Sequence, residues 1–179
     1  ASGGGAAGGT PTGTAGGARG PTCYPGYYKD MEGLLRAWGA IGKEGWFKTG
    51  DLGYFNDQGY LFLVGRRKDV IIRGGQNIYP AEVENLLLNH PKVLMATVVG
   101  MPDQVMGEKS CAFVVPKGNQ DFTFEEMVSY LKGEKIAPFK LPERLEVVDR
   151  LPMSGDGLKV LKRELVEVVT RKLKAEGKL

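Results

Sequence analysis

One histidine, two cysteines and two tryptophans occur in this 179-residue chain, and each scarcity narrows its chemistry. His90 stands just before Pro91, at the expected end of a helix. It reads as structural, so histidine-based catalysis has no support. Cys23 and Cys111 fall in unrelated contexts, with no second cysteine at metal-ligand spacing. Two reduced thiols and a cytoplasmic location are the expectation. No apolar run approaches the length that spans a bilayer, and no secretory signal is visible. Charge of one sign is also in short supply. The net charge is +3, too small to demand a nucleic-acid partner. Much of that excess lies between Lys159 and Lys178, mixed with Glu164, Glu167 and Glu176, as on a solvated helix face.

The first twenty residues lack large apolar side chains and hold nine of the 27 glycines. Such a segment cannot offset its ordering entropy by burial, so residues 1–19 are expected to be disordered or poorly defined. Gly8-Gly9-Thr10-Pro11-Thr12-Gly13-Thr14 has no lysine after its last glycine and no apolar strand before it. The phosphate-cradling loop it superficially suggests has no scaffold.

What is present is a change of texture near Lys68. From residue 20 to residue 67 the pattern is β-rich. Leu61 to Gly65 reads as an apolar strand buried on both sides, fed by the turn Asn56-Asp57-Gln58-Gly59. Met31 to Trp38 is suited to a short helix stopped at Gly39. Beyond residue 69 strands and helices alternate. Val70 to Ile72, Val93 to Val99, Cys111 to Val115 and Leu145 to Val148 read as strands. Pro80 opens one helix, with Glu82 and Glu84 near its positive end and Val83, Leu86, Leu87 and His90 on one face. Thr123 caps a second helix, from Phe124 to Lys132, with Glu126 completing a capping-box pattern. A third runs from Lys162 to Lys174, with Leu165, Val168, Val169 and Leu173 at helical spacing. The alternation implies an α/β (α+β) fold, a small sheet flanked by helices over residues 70–179, preceded by a β-rich segment.

Four places carry side chains suited to chemistry. Asp51 follows Thr49-Gly50; a carboxylate there is a two-oxygen acceptor fit for paired ribose hydroxyls, or simply a turn aspartate. Arg66, at the end of the following strand, offers a fixed fork of donors for ribose or phosphate oxygens. Gly74-Gly75-Gln76-Asn77 is a permissive loop between a strand and a helix. Lys159 ends the glycine-rich loop Ser154-Gly155-Asp156-Gly157-Leu158, where a mobile ammonium can approach a phosphoryl group. Lys68-Asp69 joins the two textures, and an element end of this kind can act as a pivot. No metal-binding set is visible.

In order along the chain these pieces resemble the adenylate-forming (AMP-binding) enzymes: acyl-CoA synthetases, adenylation domains of peptide synthetases, and luciferases. The resemblance runs from about Arg19 to Arg163. It includes Lys48-Thr49-Gly50-Asp51-Leu52-Gly53, Gly65-Arg66-Arg67-Lys68-Asp69, Asn77-Ile78-Tyr79-Pro80-Ala81-Glu82-Val83-Glu84, Phe139-Lys140-Leu141-Pro142, and Lys159 to Leu165. It implies the close of a large amino-terminal domain over residues 20–67, a hinge at residues 68–69, and a mobile carboxy-terminal domain over residues 70–179. It further implies a two-step ligase, in which a carboxylic acid attacks ATP to form an acyl-adenylate and coenzyme A then takes the acyl group. On that resemblance Asp51 and Arg66 hold the nucleotide, Lys159 serves adenylation, Lys68 is the pivot, and the loop Gly74 to Asn77 borders the thiol tunnel.

The phosphate-binding loop, the acid that binds Mg2+ and the acyl pocket of that family belong upstream of these residues, so no turnover is expected from this chain alone. One departure stands out: Leu158 separates Gly157 from Lys159, where the family places its lysine directly after the glycine. Lys162 is the other lysine in reach. Two further readings stay open, loading of a carrier-protein thiol and a binding module that keeps the fold without the chemistry. Nucleic-acid binding through Arg66, Arg67 and Lys68 fails for want of interleaved aromatics.

Overall fold

Ladder hydrogen bonds use backbone groups, so even a glycine-rich stretch can enter a sheet. The computed structural model describes residues 14–18, 47–118 and 120–179. In it the chain divides into two compact units, residues 1–68 and 69–179. In the first unit Thr14–Ala18 forms β1, Phe47–Phe55 forms β2 and Leu61–Arg66 forms β3, an antiparallel sheet in the order β1-β2-β3. Residues 14–18 thus have a strand partner although their composition argues against structure. The expected helix from Met31 to Trp38 lies outside the described residues, as does Cys23.

The turn before β3 forms as its residues require. Gly59 adopts φ +81° and donates its N–H to the Asn56 carbonyl, while Asn56 Oδ1 accepts from the Gln58 and Tyr60 amides. The strand itself corrects the sequence reading. Leu61, Phe62 and Leu63 are exposed rather than buried on both sides. Among the described strands β3 is an edge, paired with β2 alone, and an apolar run does not reveal whether anything covers it. Tyr54 and Phe62 stack face to face across the pair, with ring centroids 5.3 Å apart.

The second unit begins at the last residue of a short 3-10 turn, Arg67–Asp69. Ile71–Arg73 (β4) and Gln76–Ile78 (β5) make a tight hairpin, and Pro80–Leu88 is helix α1. Val93–Asp103 (β6) and Gly107–Pro116 (β7) form a long antiparallel pair. Helix α2 covers Phe124–Gly133, a 3-10 turn covers Pro138–Lys140, Arg144–Val147 is β8 and Lys162–Ala175 is helix α3. The sheet runs β5-β4-β7-β6, and β8 joins β7 in parallel, Cys111 facing Arg144 through Val114 facing Val147. The crossover containing α2 supplies the length that a parallel pairing needs.

Strand β7 is buried without a break from Ser110 to Val115, so both faces of the sheet must be covered. Its alternation assigns the two sides. Ala112 and Val114 pack with Val83, Leu87, Met127 and Leu131 of α1 and α2. Cys111, Phe113 and Val115 pack with Leu165, Val169 and Leu173 of α3. The result is the expected α+β unit, a sheet flanked by helices, with burial of Phe113 alone contributing about 1.5–3 kcal/mol.

The helices begin where the sequence places them. Thr123 Oγ1 accepts the Glu126 N–H at 3.2 Å, and Pro80 occupies the first turn of α1. Helix α3 differs in one position: Val168 is exposed, and Val166 packs instead. At about 100° per residue, Val168 lies roughly 100° from the centre of the Leu165, Val169 and Leu173 face, Val166 roughly 60°. His90 is buried as a structural residue, its Nδ1 accepting the Lys92 N–H and its ring set edge-on to Phe122 and Tyr130. No helix among the described residues is long and apolar enough to cross a membrane.

Candidate functional site

In the first unit, Gly50 at φ +79° turns the chain into Asp51. The Asp51 N–H donates to Thr49 Oγ1 at 3.2 Å. Asp51 faces Arg66 across the β2–β3 ladder, and Arg66 Nε lies 3.6 Å from Asp51 Oδ1. A bulge fixes this pairing: Leu52 opposes Gly65, Gly53 opposes Leu63, and Val64 is the extra residue. Gly65, at φ +138°, accommodates it. Gly53 is required by approach rather than by angle, since a Cβ there would sit 2.8 Å from the Phe62 carbonyl oxygen. Both charged groups are solvent-accessible, so the pair contributes little stability. It leaves an acceptor and a donor fork side by side at one strand end.

In the second unit Gly74 and Gly75 make the β4–β5 turn at φ +53° and +83°. Gln76 and Asn77 are not in the loop, as the glycine pair suggested, but on β5, with exposed side chains. The Gly74 N–H donates to the Met106 carbonyl at 2.8 Å, and a Cβ on Gly74 would meet Met106 Sδ at 2.9 Å. The β6–β7 turn therefore buttresses this hairpin. Asp103 closes that turn by accepting the Val105 and Met106 amides. Hydrogen bonding from Lys109 first, then from the Met106 amide, holds its carboxyl down at about 2. Behind the hairpin the Ile72 N–H donates to Glu108 Oε2 at 2.8 Å, and Arg73 grips Glu143 through two nitrogens.

Lys159 lies on a separate turn. Ser154 and Lys159 close it by hydrogen bonds from the Ser154 N–H to the Lys159 carbonyl (2.7 Å) and from the Lys159 N–H to Ser154 Oγ (3.0 Å). Gly157, at φ +70°, lets the chain reverse. Asp156 accepts from the Ser154 hydroxyl and the Leu158 N–H, which lower its pKa. The extra residue, Leu158, points to solvent, and Lys159 is exposed. Lys162 is not available in the same way: its Nζ bonds Glu84 Oε1 at 2.7 Å and the Val98 carbonyl at 3.3 Å. Lys68, within the 3-10 turn, is the last residue of the first unit.

The structure thus pairs Asp51 with Arg66, and groups Gly74, Gly75, Gln76 and Asn77 in one hairpin. Lys159 lies on its own turn, closed by Ser154. No group of three or more His, Cys, Asp or Glu among the described residues is arranged to hold a metal ion. Ion pairs that sequence reading missed organise the second unit. Glu82 takes the buried Lys140 ammonium on both oxygens, at 2.7 and 2.8 Å. Glu146 is bonded by Arg144 and Lys172; burial opposes its ionisation, yet these bonds leave its pKa lowered. Glu82 and Glu84 read locally as helix-dipole partners, and their distant lysines leave no local signal.

Residues 82–158 match the family of the AMP-binding enzyme C-terminal domain. The medium-chain fatty-acid–CoA ligase of Escherichia coli K12 is 40% identical over 156 residues, covering 87% of this chain and 27% of that protein. ATP-bound MatB from Rhodopseudomonas palustris superposes with a TM-score of 0.76 at 33% identity, covering 86% of this chain and 30% of that one. The o-succinylbenzoate CoA synthetase MenE of Bacillus subtilis, in complex with the acyl-adenylate intermediate OSB-AMP, gives a TM-score of 0.65 at 42% identity, covering 71% and 25%. The fold is that of the carboxy-terminal portion of an adenylate-forming enzyme. The chain carries the C-terminal domain of the AMP-binding enzymes, and the relatives it resembles are acyl-CoA ligases. It spans between 25% and 30% of the length of these relatives.

Proposed function

We propose that this chain is the carboxy-terminal part of an ATP-dependent acyl- or aryl-CoA synthetase, with residues 20–67 the end of the amino-terminal domain, residues 68–69 the hinge and residues 70–179 the mobile domain. A carboxylate oxygen attacks the α-phosphorus of ATP and pyrophosphate leaves. The thiol of coenzyme A then attacks the carbonyl carbon of the acyl-adenylate, and AMP leaves. Asp51 accepts hydrogen bonds from the ribose hydroxyls, and Arg66 donates to the ribose-phosphate oxygens. Lys159 supplies positive charge where negative charge grows during adenylation. The second unit then turns about Lys68, withdraws Lys159 and presents the hairpin at Gly74 to Asn77 to the thiol. Mg2+ would accompany ATP in this chemistry; no group of three or more His, Cys, Asp or Glu among the described residues is placed to hold it. The chain alone does not turn over.

The observation that carries this reading is the Asp51–Arg66 pair, 3.6 Å apart and solvent-accessible, in a chain that also keeps an exposed lysine before α3. The test uses protein expressed from the whole reading frame that encodes this chain. Supplied with ATP and a panel of carboxylic acids, it is expected to release AMP and pyrophosphate and to make a thioester with coenzyme A. Thioester formed only on a carrier-protein thiol would move the reading to that acceptor. No acid-dependent AMP release with any acid would overturn it.

A further inference from the structure

We infer that Glu84 positions the Lys159 loop, acting through Lys162, an inference that rests on the reading of Lys159 as the adenylation lysine. Three donors converge on one oxygen, Glu84 Oε1: the Lys162 ammonium at 2.7 Å, the Val98 N–H at 2.7 Å and the Thr97 hydroxyl at 2.9 Å. Lys162 also donates to the Val98 carbonyl at 3.3 Å. One carboxylate on α1 therefore ties the middle of β6 to the first residue of α3. Glu84 and Lys162 are both largely shielded from solvent, where a charged pair is held more firmly than on the surface.

Helix stability does not explain the lysine. Lys162 opens α3, and Leu161 before it provides no side-chain cap. A cation at that end faces the positive pole of the helix. Its placement is favourable only because Glu84 meets it. Arg163, the next cation, is exposed and pairs within its own helix, with Glu167 at 3.3 Å.

From Lys162 the fixed geometry passes back to Lys159 in three residues. The Leu161 N–H donates to the Pro152 carbonyl at 2.8 Å, and Met153 and Val160 pair as an antiparallel bridge. The two hydrogen bonds between Ser154 and Lys159 then close the turn. Leu165 and Val169 pack α3 on the sheet, but packing side chains resist sliding less specifically than a bonded charge. The Glu84–Lys162 pair sets the rotation and height of the end from which the loop springs. An error of about 1 Å in placing a reacting group can cost 10²-fold in rate. Glu84 is thus a positioning residue for adenylation, with no role in the thiol step.

The experiment compares Glu84→Gln, Lys162→Met, Lys162→Arg and Lys159→Ala in protein from the whole reading frame. Two half-reactions are followed: acid-dependent exchange of pyrophosphate into ATP, and thioester formation from preformed acyl-adenylate. Glu84→Gln keeps an acceptor for the Val98 amide. The expected result is a loss of exchange of about tenfold or more in Glu84→Gln and in Lys162→Met. Thioester formation stays within about twofold of the parent, and Lys162→Arg, which retains the pair, keeps most of the exchange. Exchange unaffected in Glu84→Gln and Lys162→Met but lost in Lys159→Ala overturns this inference and spares the function. A parallel fall in both half-reactions also overturns it, because a general structural role would weaken both. Exchange that survives Lys159→Ala overturns the proposed function, and this inference with it.

Discussion

Asp51 and Arg66 occupy opposed positions on neighbouring strands, held in register by a one-residue bulge, with Nε 3.6 Å from Oδ1. Because both are solvent-accessible, removing one costs the fold little. Asp51→Asn is therefore expected to raise the KM for ATP about tenfold, as one charge-assisted contact to the ribose is weakened. Thermal unfolding should be unchanged. Steady-state kinetics at varied ATP checks this, and an unchanged KM would remove Asp51 from the nucleotide site.

In the proposed cycle the Gly74–Gly75 hairpin serves the second half-reaction and not the first. A methyl group at residue 74 would approach Met106 Sδ to 2.9 Å, and a flexible thioether can move aside. Gly74→Ala also places an alanine at φ +53°, so the turn shifts. Thioester formation from preformed acyl-adenylate is expected to slow about tenfold or more, with pyrophosphate exchange kept. Equal loss in both assays would show that the hairpin is not specific to the thiol step.

Acid stability follows from the ion pairs. The folded pKa of Asp103 falls from 3.8 to about 2, chiefly through Lys109. That of Glu176 falls from 4.5 to about 2, chiefly through Arg144. Both folded values lie below the unfolded ones, so the folded state binds fewer protons, and the stabilisation is present above about pH 4.5. It is lost as the pH drops from there toward 2. Thermal midpoints followed by circular dichroism should be insensitive to these groups from pH 5 to 8 and fall steeply below 4.5. Arg144→Met and Lys109→Met should flatten that fall. A midpoint that holds steady down to pH 2 would contradict the assignment.

Cys111 lies fully buried between β7 and α3, and burial pushes its thiol up to about 12. Attack on an alkylating reagent needs the thiolate and access, and this thiol has neither. In a Cys23→Ser background, labelling at pH 8 is expected to be negligible for the native protein and complete after denaturation. Rapid native labelling would mean that α3 opens from the sheet.

Much of the second unit was legible because its signals are local. Pro80 and Thr123 fix helix starts, the Cys111–Val115 run marks a strand, and three of the four residues read as a helix stripe, at 165, 169 and 173, lie in the core. What escaped depends on partners far away in sequence. Nothing near Glu84 announces Lys162, 78 residues on, and nothing near Lys140 announces Glu82. The apolar character of Leu61 to Leu63 does not tell an edge strand from a covered one. Glycine and alanine at residues 14–18 conceal a strand because a ladder needs no side chains. The candidate site rests on motifs alone, at Asp51, Arg66, Lys159 and the glycine pair. The hydrogen bonds between Ser154 and Lys159 and the Glu84–Lys162 pair have no signature in the sequence.

In the proposed cycle Lys159 serves one half-reaction and is absent from the other. The most direct measurement follows both in the Lys159→Ala variant of protein from the whole reading frame. Pyrophosphate exchange is expected to fall by about 10²-fold or more, while acyl transfer from preformed acyl-adenylate to coenzyme A proceeds near the parent rate. Exchange at the parent rate in that variant would contradict the account.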